Sequence, residues 1–264
     1  MVKRLGNGVA TLSMNRPDVL NALDDEMLDD MFAALNELDA DTDTRAIVLR
    51  GEGEKAFAAG GDLKQMRELS PLQFHQYCGR FGRNAVAMVN LGTPIVAAAH
   101  GYTFGGGVTL CLASDIVVAA ESTRFGFSEI NVGLIGPSEF LLDTVGKHRT
   151  AELLLLGKRF GAAEAKEMGI VNAVVPDGAQ DVEALQIAEQ LAAKSPNAIR
   201  LAKQVMRRAL GDRVLQTLDA QQAMASLLFG THDQYEAMSA LLERRDPILT
   251  GSTALRLAQS EQPA

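Results

Sequence analysis

Short apolar segments alternate with longer amphipathic segments along the first two thirds of the chain. Residues 9–14 alternate between apolar and polar positions, which is the pattern of a half-buried strand. Four further segments are short, apolar and partly β-branched, and they predict buried strands at 46–50, 95–99, 116–120 and 170–175. Residues 22–38 repeat apolar side chains on one helical face, and 71–90 and 107–113 are further predicted helices. Strands that alternate with helices predict an α/β fold.

The pattern changes near residue 181, after which it predicts helices alone. Ser195 and Pro196 are typical of a helix start, because serine is a good N-cap and proline suits the first helical position. We therefore divide the chain into an α/β core over residues 1–194 and a helical region over residues 195–264.

Sequence motifs indicate where the last predicted helix begins and ends. Thr231 and Gln234 fit a capping box, in which each side chain bonds the backbone amide of the other residue. Asp246-Pro247 should stop this helix, because a proline disfavours helical geometry in the residue before it.

Composition and charge narrow the class of protein. Of the 264 residues, 47% are hydrophobic and 22% are charged, which excludes a disordered chain. The 25 Lys and Arg against 33 Asp and Glu give a net charge of −8, which disfavours a nucleic-acid partner. Two cysteines and a start without an apolar run favour a cytoplasmic protein with no signal peptide. No run of about 18 apolar residues is present, so we expect no membrane partner.

Two glycine-rich loops precede predicted helices. The triplet at 105–107 lies between the strand at 95–99 and a helix, where free backbone amides and the helix dipole can hold a phosphate or a developing oxyanion. Residues 58–63 form a second such loop, with Asp62 as a helix cap. Taken singly, each loop is equally compatible with an ordinary turn. Together they raise the hypothesis of an oxyanion hole with two donors.

Other motifs are weaker. Residues 51–56 match the dinucleotide fingerprint with alanine at its last position, yet Gly60 and Gly61 interrupt the helix that should follow. His75 and Cys78 have no second ligand pair, so we predict no metal site. The histidines are scattered along the chain and favour structural or surface roles.

Two glutamates stand out as candidate acids or bases. Glu129 lies in an apolar, glycine-rich segment, where partial desolvation would raise its pKa, although an exposed loop glutamate is the alternative. Glu139 follows Gly136-Pro137-Ser138, and its position fits the first turn of a helix that Ser138 caps.

Several ordered segments together resemble the enoyl-CoA hydratase/isomerase (crotonase) family over nearly the whole chain. The matching segments are 15–27, 55–66, 93–135 and 151–176, and residues 195–210 and 233–251 also fit. The resemblance implies a crotonase-like superhelix of β-β-α turns with a helical C-terminal region that packs in a homotrimer or a dimer of trimers. It also implies an acyl-CoA substrate, and no cofactor beyond the coenzyme A of that substrate.

The resemblance assigns roles to four residues. The backbone amides of Gly61 and Gly106 would form the oxyanion hole, and Gly61 would be less rigid than the alanine that the family more often has there. Glu129 matches one of the two glutamates of the hydratases, with Ser128 in place of the usual proline. The other glutamate is replaced by Thr109, whose hydroxyl can orient water or substrate but cannot shuttle a proton.

The missing glutamate puts hydration by two glutamates in doubt. We therefore predict enoyl-CoA hydratase/isomerase chemistry with Glu129 as the single general acid/base, and Δ3-to-Δ2 isomerisation as its most natural form. The alternatives are a hydratase-lyase of the feruloyl-CoA type, another acyl-CoA lyase, hydrolase or decarboxylase, and an acyl-CoA binder without activity. A nicotinamide dehydrogenase is a distant alternative.

Further contacts with the substrate follow from the same resemblance. Residues 136–141 depart from the glycine-rich family segment that lines the acyl pocket, so Glu139 is a candidate second acid, with a capping or surface role as the alternative. The CoA moiety would contact Leu20, Ala22, Ala59, Asp62 and Leu63. Arg16 and Lys64 would reach its phosphates, unless they are ordinary surface charges.

Overall fold

In the part of the chain that the computed structural model describes, residues 1–136, 138–210, 213–252 and 254 (backbone only at 210 and 213–216), ten strands form two sheets. The first sheet has six strands in the order β1-β2-β3-β5-β7-β10. They are β1 (Val2–Arg4), β2 (Val9–Met14), β3 (Ala46–Gly51), β5 (Ile95–Ala99), β7 (Ile116–Ala120) and β10 (Ala173–Val175). Only β1 pairs antiparallel among these described strands, and the others run parallel.

The five predicted strands all belong to this first sheet, so those predictions are confirmed. The last of them is shorter than the predicted 170–175. Residue Asn172 pairs with the neighbouring strand through its side chain, since its Oδ1 accepts from the Val117 amide at 2.8 Å. That side-chain bond replaces a ladder bond, and β10 begins after it.

The second sheet consists of four strands of three residues each among the described residues. They are β4 (Ala56–Ala58), β6 (Tyr102–Phe104), β8 (Arg124–Gly126) and β9 (Arg159–Gly161). The first three follow directly after β3, β5 and β7 along the chain. Strands this short show no periodicity, so the sequence analysis missed them. The succession of a long strand, a short strand and a helix confirms the predicted crotonase-like β-β-α turns.

Seven helices accompany the two sheets in the described part of the core. They are α1 (Asp25–Ala40), α2 (Leu63–Arg67), α3 (Pro71–Asn90), α4 (Gly106–Ala113), α5 (Glu139–Leu155), α6 (Ala162–Glu167) and α7 (Gln180–Ala192). Helix α1 begins at Asp25 rather than at 22, because Asp24 caps it and Leu23 forms a β-bridge with Gly61. Residues 51–54 lead into β4 and not into a helix, which agrees with the rejection of the dinucleotide motif.

The helical region contains α8 (Pro196–Leu210), α9 (Arg213–Leu228) and α10 (His232–Glu243). Ser195 caps α8 as predicted, since its Oγ accepts from the Ala198 amide at 3.4 Å. Helix α9 packs on α3 and α5, and α10 packs on the turn at 129–132. The division at 194/195 stays a prediction, and residues 255–264 of the predicted region lie outside the described residues.

The two ends of α10 differ from the prediction. Thr231 accepts from the Gln234 amide at 3.4 Å, but the Gln234 side chain accepts from the Gly230 amide at 3.0 Å. The reciprocal bond is displaced because the Thr231 amide already donates to Leu228. The helix ends at Glu243 with Arg244 in the left-handed region (φ 58°), before Asp246-Pro247 is reached. Among the described residues, no helix is long and apolar enough to span a bilayer.

Candidate active site

A cavity of about 730 Å³ lies between α3, α9 and the loops that join the two sheets to their helices. Its wall contains most of the predicted site residues, namely Leu20, Ala22, Ala59, Gly61, Asp62, Leu63, Lys64, Gly106 and Glu129. The predicted residues Arg16, Thr109 and Glu139 are not part of this wall. Leu218, Gln221 and Ala225 of α9 also line the cavity, so the helical region contributes to the site as well as to packing.

Glu129 opens a short 3-10 turn (Glu129–Val132) after β8. Glycines make room for its carboxylate: a Cβ on Gly105 would lie 2.8 Å from Oε1, and a Cβ on Gly136 would lie 3.2 Å from Oε2. Oε2 is buried and has no hydrogen-bond partner among the described residues. Desolvation by burial raises the pKa of Glu129 to about 7. This carboxyl group can therefore both accept and donate a proton near neutral pH.

The two predicted amide donors lie on adjacent loops. Gly106 is the first residue of α4, where a helix leaves its amides without an intrahelical acceptor. Neither the Gly61 amide nor the Gly106 amide has an acceptor among the described residues. A Cβ on Gly60, which has φ +95°, would lie 3.0 Å from the Phe104 carbonyl oxygen and 3.6 Å from the Gly106 nitrogen. Two unpaired N–H groups thus border the cavity close to each other.

The segment that faces these loops is held by Asn21, which is fully buried. Its amide nitrogen donates to the carbonyls of Glu52 and Ala56 at 2.9 and 2.8 Å, and its oxygen accepts from the Arg16 amide at 2.9 Å. Leu20 and Asn21 both lie in the left-handed region, with φ 57° and 53°. These bonds stabilise the uncommon backbone that brings Leu20 and Ala22 to the cavity wall.

The Arg16 guanidinium is bonded to neighbouring residues of the protein. Its guanidinium donates to the Ala22 carbonyl at 2.6 Å and forms ion pairs of 3.1 Å with Asp24 and Asp62. Asp62 caps α2 as predicted by accepting from the Lys64 and Gln65 amides. Arg16 therefore ties the 16–24 segment to the second glycine-rich loop, while Lys64 lies in the cavity wall.

Thr109 is fully buried inside α4. Its Oγ1 donates to the Gly105 carbonyl of its own helix at 3.3 Å, and the same carbonyl accepts the Thr109 amide at 3.1 Å. This placement does not support the predicted role of Thr109 in orienting water or substrate.

Glu139 is the first residue of α5, as predicted, but it is only 3% exposed. The alternative of a surface glutamate is therefore wrong. Ser138 makes no capping bond, because its helical backbone (φ −92°, ψ −23°) differs from the extended geometry of an N-cap. Both oxygens of Glu139 are buried without a partner among the described residues, and burial raises its pKa to about 7.

Tyr77 of α3 is a cavity residue that the sequence analysis missed. It is 5% exposed, and its hydroxyl donates to the Leu23 carbonyl at 2.7 Å. Tyr77 and Leu23 are far apart in the chain. In the sequence, Tyr77 is only one apolar position of a predicted amphipathic helix. No local signal in the sequence indicates this contact.

The family model described as enoyl-CoA hydratase/isomerase matches residues 4–252. The chain belongs to the enoyl-CoA hydratase/isomerase family. A probable enoyl-CoA hydratase of Mycobacterium bovis is 35% identical over 245 residues, which cover 92% of this chain and 94% of the relative.

Solved structures of this family have the same fold. An enoyl-CoA hydratase/isomerase from Xanthobacter autotrophicus superposes with a TM-score of 0.86 at 31% identity, covering 92% of each chain. A carnitinyl-CoA hydratase from Mycobacterium avium gives a TM-score of 0.84 at 30% identity, covering 96% of this chain and 98% of that chain. As a family member, the protein is an acyl-CoA-processing enzyme of the enoyl-CoA hydratase/isomerase type.

Proposed function

We propose that the protein isomerises a Δ3-enoyl-CoA to the Δ2-enoyl-CoA with Glu129 as its single general acid/base. The observation that carries this proposal is the buried, unpaired Oε2 of Glu129 beside two unpaired backbone amides. The cavity carboxylate of Asp62, by contrast, is occupied by the α2 amides and by Arg16. One carboxylate is sufficient for isomerisation, because the proton that it removes is the proton that it returns.

The reaction has two proton transfers. Glu129 removes a proton from C2 of the Δ3-enoyl thioester, and the electron pair moves onto the thioester oxygen to give a dienolate. The amides of Gly61 and Gly106 donate to this oxygen, where negative charge develops. Protonated Glu129 then returns the proton to C4, and the double bond lies between C2 and C3. Hydration would need a second group to activate water, and Thr109 does not line the cavity.

The test follows the absorbance of the conjugated enoyl thioester with two substrates. A trans-3-enoyl-CoA should gain absorbance with the wild type, and Glu129→Gln should abolish most of the gain. Loss of absorbance with a trans-2-enoyl-CoA, without a gain from the first substrate, would contradict isomerisation and indicate a hydratase. Binding of both thioesters without turnover would favour a silent acyl-CoA binder.

A hydratase-lyase is the second candidate because of Ser128. This serine replaces the usual proline of the family segment and lines the cavity beside Glu129. Its hydroxyl is buried without a partner among the described residues, so it can bond a polar acyl group. Mass analysis of products from a hydroxylated aromatic enoyl-CoA distinguishes this function, since isomerisation leaves the mass unchanged.

We also propose that the helical region packs between copies of the chain in a homotrimer or a dimer of trimers. Helices α8 and α9 leave several large apolar side chains at least half exposed, namely Leu201, Val205, Met206, Met224 and Leu227. Patches of this kind are typical of interfaces. Light scattering that gives the mass of a monomer would contradict the proposal. The cytoplasmic location stays a prediction.

A further inference from the structure

The glycine at position 61 is not required by its backbone. Gly61 is absent from the described residues with positive φ, so an alanine could adopt its conformation. What excludes a side chain is a neighbour: a Cβ on Gly61 would lie 2.6 Å from the Tyr77 hydroxyl oxygen and 3.0 Å from the Met66 sulfur. The Met66 sulfur lies near the end of a flexible side chain that can move, whereas the Tyr77 side chain is held in place. Tyr77 therefore occupies the space that an alanine methyl group would need.

Tyr77 is held by its ring and by its hydroxyl group. Its ring lies 6.2 Å from that of Phe74, which in turn stacks on Phe229 of the helical region at 3.9 Å. Desolvation raises the pKa of Tyr77, so the hydroxyl remains a neutral donor at physiological pH. The Leu23 carbonyl accepts this hydroxyl at 2.7 Å. The ring packing fixes where the hydroxyl can lie.

The Leu23 carbonyl connects Tyr77 to the loop that contains Gly61. The same oxygen accepts the Asp62 amide at 3.1 Å, and the Leu23 amide donates to the Gly60 carbonyl at 2.8 Å. Leu23 thus bonds the residues on both sides of Gly61, and Tyr77 bonds Leu23. The greater mobility that the sequence analysis expected at Gly61 is opposed by these contacts.

We propose that Tyr77 is a positioning residue that replaces the side chain of residue 61 and sets the place of the Gly61 amide. The hydroxyl fills the position of the alanine methyl group and bonds the strand-like segment beside it. The catalytic consequence rests on the proposed function, in which this amide stabilises the enolate oxygen. The packing of residue 61 against Tyr77 does not rest on it.

Three variants test the pair: Tyr77→Phe, Gly61→Ala and their combination. The phenylalanine removes the clashing oxygen and leaves ring carbon Cζ 3.5 Å from the new Cβ, an ordinary contact. We expect Tyr77→Phe to lower kcat about 10-fold with KM changed less than about 2-fold, the loss of about one hydrogen bond. Gly61→Ala should lower kcat by about 100-fold, on the scale of a misplaced oxyanion donor. The double variant should be at least as active as Tyr77→Phe, because the methyl group then occupies the vacated space.

Losses that multiply in the double variant would overturn the proposal. Tyr102→Phe is the matched control, since Tyr102 is 45% exposed and lies outside the cavity wall. It should leave kcat and KM unchanged. Thermal unfolding of all variants separates loss of folded protein from loss of positioning.

A second readout makes failure of this inference distinguishable from failure of the proposed function. Exchange of the C2 proton of butyryl-CoA in deuterated water, followed by mass, reports enolate formation without isomerisation. We expect the C2 exchange rates of the wild type and the variants to follow the same order as their kcat values. If the wild type exchanges C2 but isomerises nothing, the isomerase proposal fails and the variants still test Tyr77. If the wild type neither isomerises nor exchanges C2, the positioning role fails. If Tyr77→Phe and Gly61→Ala then have non-additive effects on the unfolding midpoint, Tyr77 and Gly61 are matched for packing alone.

Discussion

Glu129 and Glu139 lie on one stretch of chain between β8 and β9, and their environments are alike in two respects. Each glutamate has at least one buried carboxylate oxygen without a partner among the described residues, and burial raises the pKa of each to about 7. They differ in access: Glu129 lines the cavity beside the two amides, and Glu139 lies in the first turn of α5 outside the cavity wall. Burial alone therefore tunes a carboxyl group for proton transfer, but only contact with substrate makes it a catalyst.

The largest effect expected from this comparison is on turnover. Glu129→Gln should lower kcat by about 10²–10⁴, the usual scale for a general acid/base. Glu139→Gln, its matched control, should change kcat by less than about 3-fold. Steady-state kinetics with a trans-3-enoyl-CoA measure both. A loss of about 10²-fold in the Glu139 variant would instead make it the second acid.

The next largest effect is on the free energy of unfolding, and Glu139 tests it because its substitution should leave catalysis nearly unchanged. The pKa of Glu139 in the folded protein, about 7, exceeds the ordinary glutamate value of 4.5, so the folded state binds the proton more tightly than the unfolded state. Its stabilising contribution is full below pH 4.5, declines between pH 4.5 and 7, and is lost above pH 7.

Glu139→Gln carries a neutral amide at every pH. It should unfold like the wild type at pH 4 and be more stable at pH 8 by about 3 kcal/mol, because the wild-type carboxyl must then ionise in a buried site. Urea unfolding at both pH values measures the difference. Equal stabilities at pH 8 would show that Glu139 ionises without cost in the folded protein.

The pH dependence of activity tests the other carboxyl group of the comparison, that of Glu129. A base must be deprotonated in the free enzyme, and the pKa of this one is about 7. We therefore expect kcat/KM to fall about tenfold for each pH unit below 7 and to level off above it. Glu139→Gln should keep this profile. A profile that stays flat from pH 5 to pH 8 would contradict Glu129 as the base.

The smallest effect is expected at Thr109, the position where the family hydratases have their other glutamate. Thr109→Val removes the bond to the Gly105 carbonyl, so the free energy of unfolding should fall by about 1 kcal/mol. Activity should stay within about 3-fold of wild type, because the hydroxyl does not line the cavity. A much larger loss of kcat with unchanged unfolding would restore the role of Thr109 toward water or substrate.

The sequence was most informative where a pattern is local. The strands at 46–50, 95–99 and 116–120 were predicted because their apolar runs are long enough to see. The glycine loops and Glu129 were predicted because their motifs are contiguous, and the structure brings Gly61, Gly106 and Glu129 to one cavity. The displaced reciprocal bond of Gln234 shows the limit, since a capping motif does not specify which neighbouring amide is free.

The sequence by itself determined the α/β core, the helical ending, the family and the group of loops that meet at the site. Only the tertiary structure decided which of these residues can reach a substrate. The three-residue strands exist because neighbouring strands pair with them, and Glu139 and Thr109 are removed from the cavity by the packing of α5 and α4. Tyr77 meets Gly61 across the fold. Access, desolvation and clashes depend on neighbours that are distant in the chain, so local patterns do not encode them.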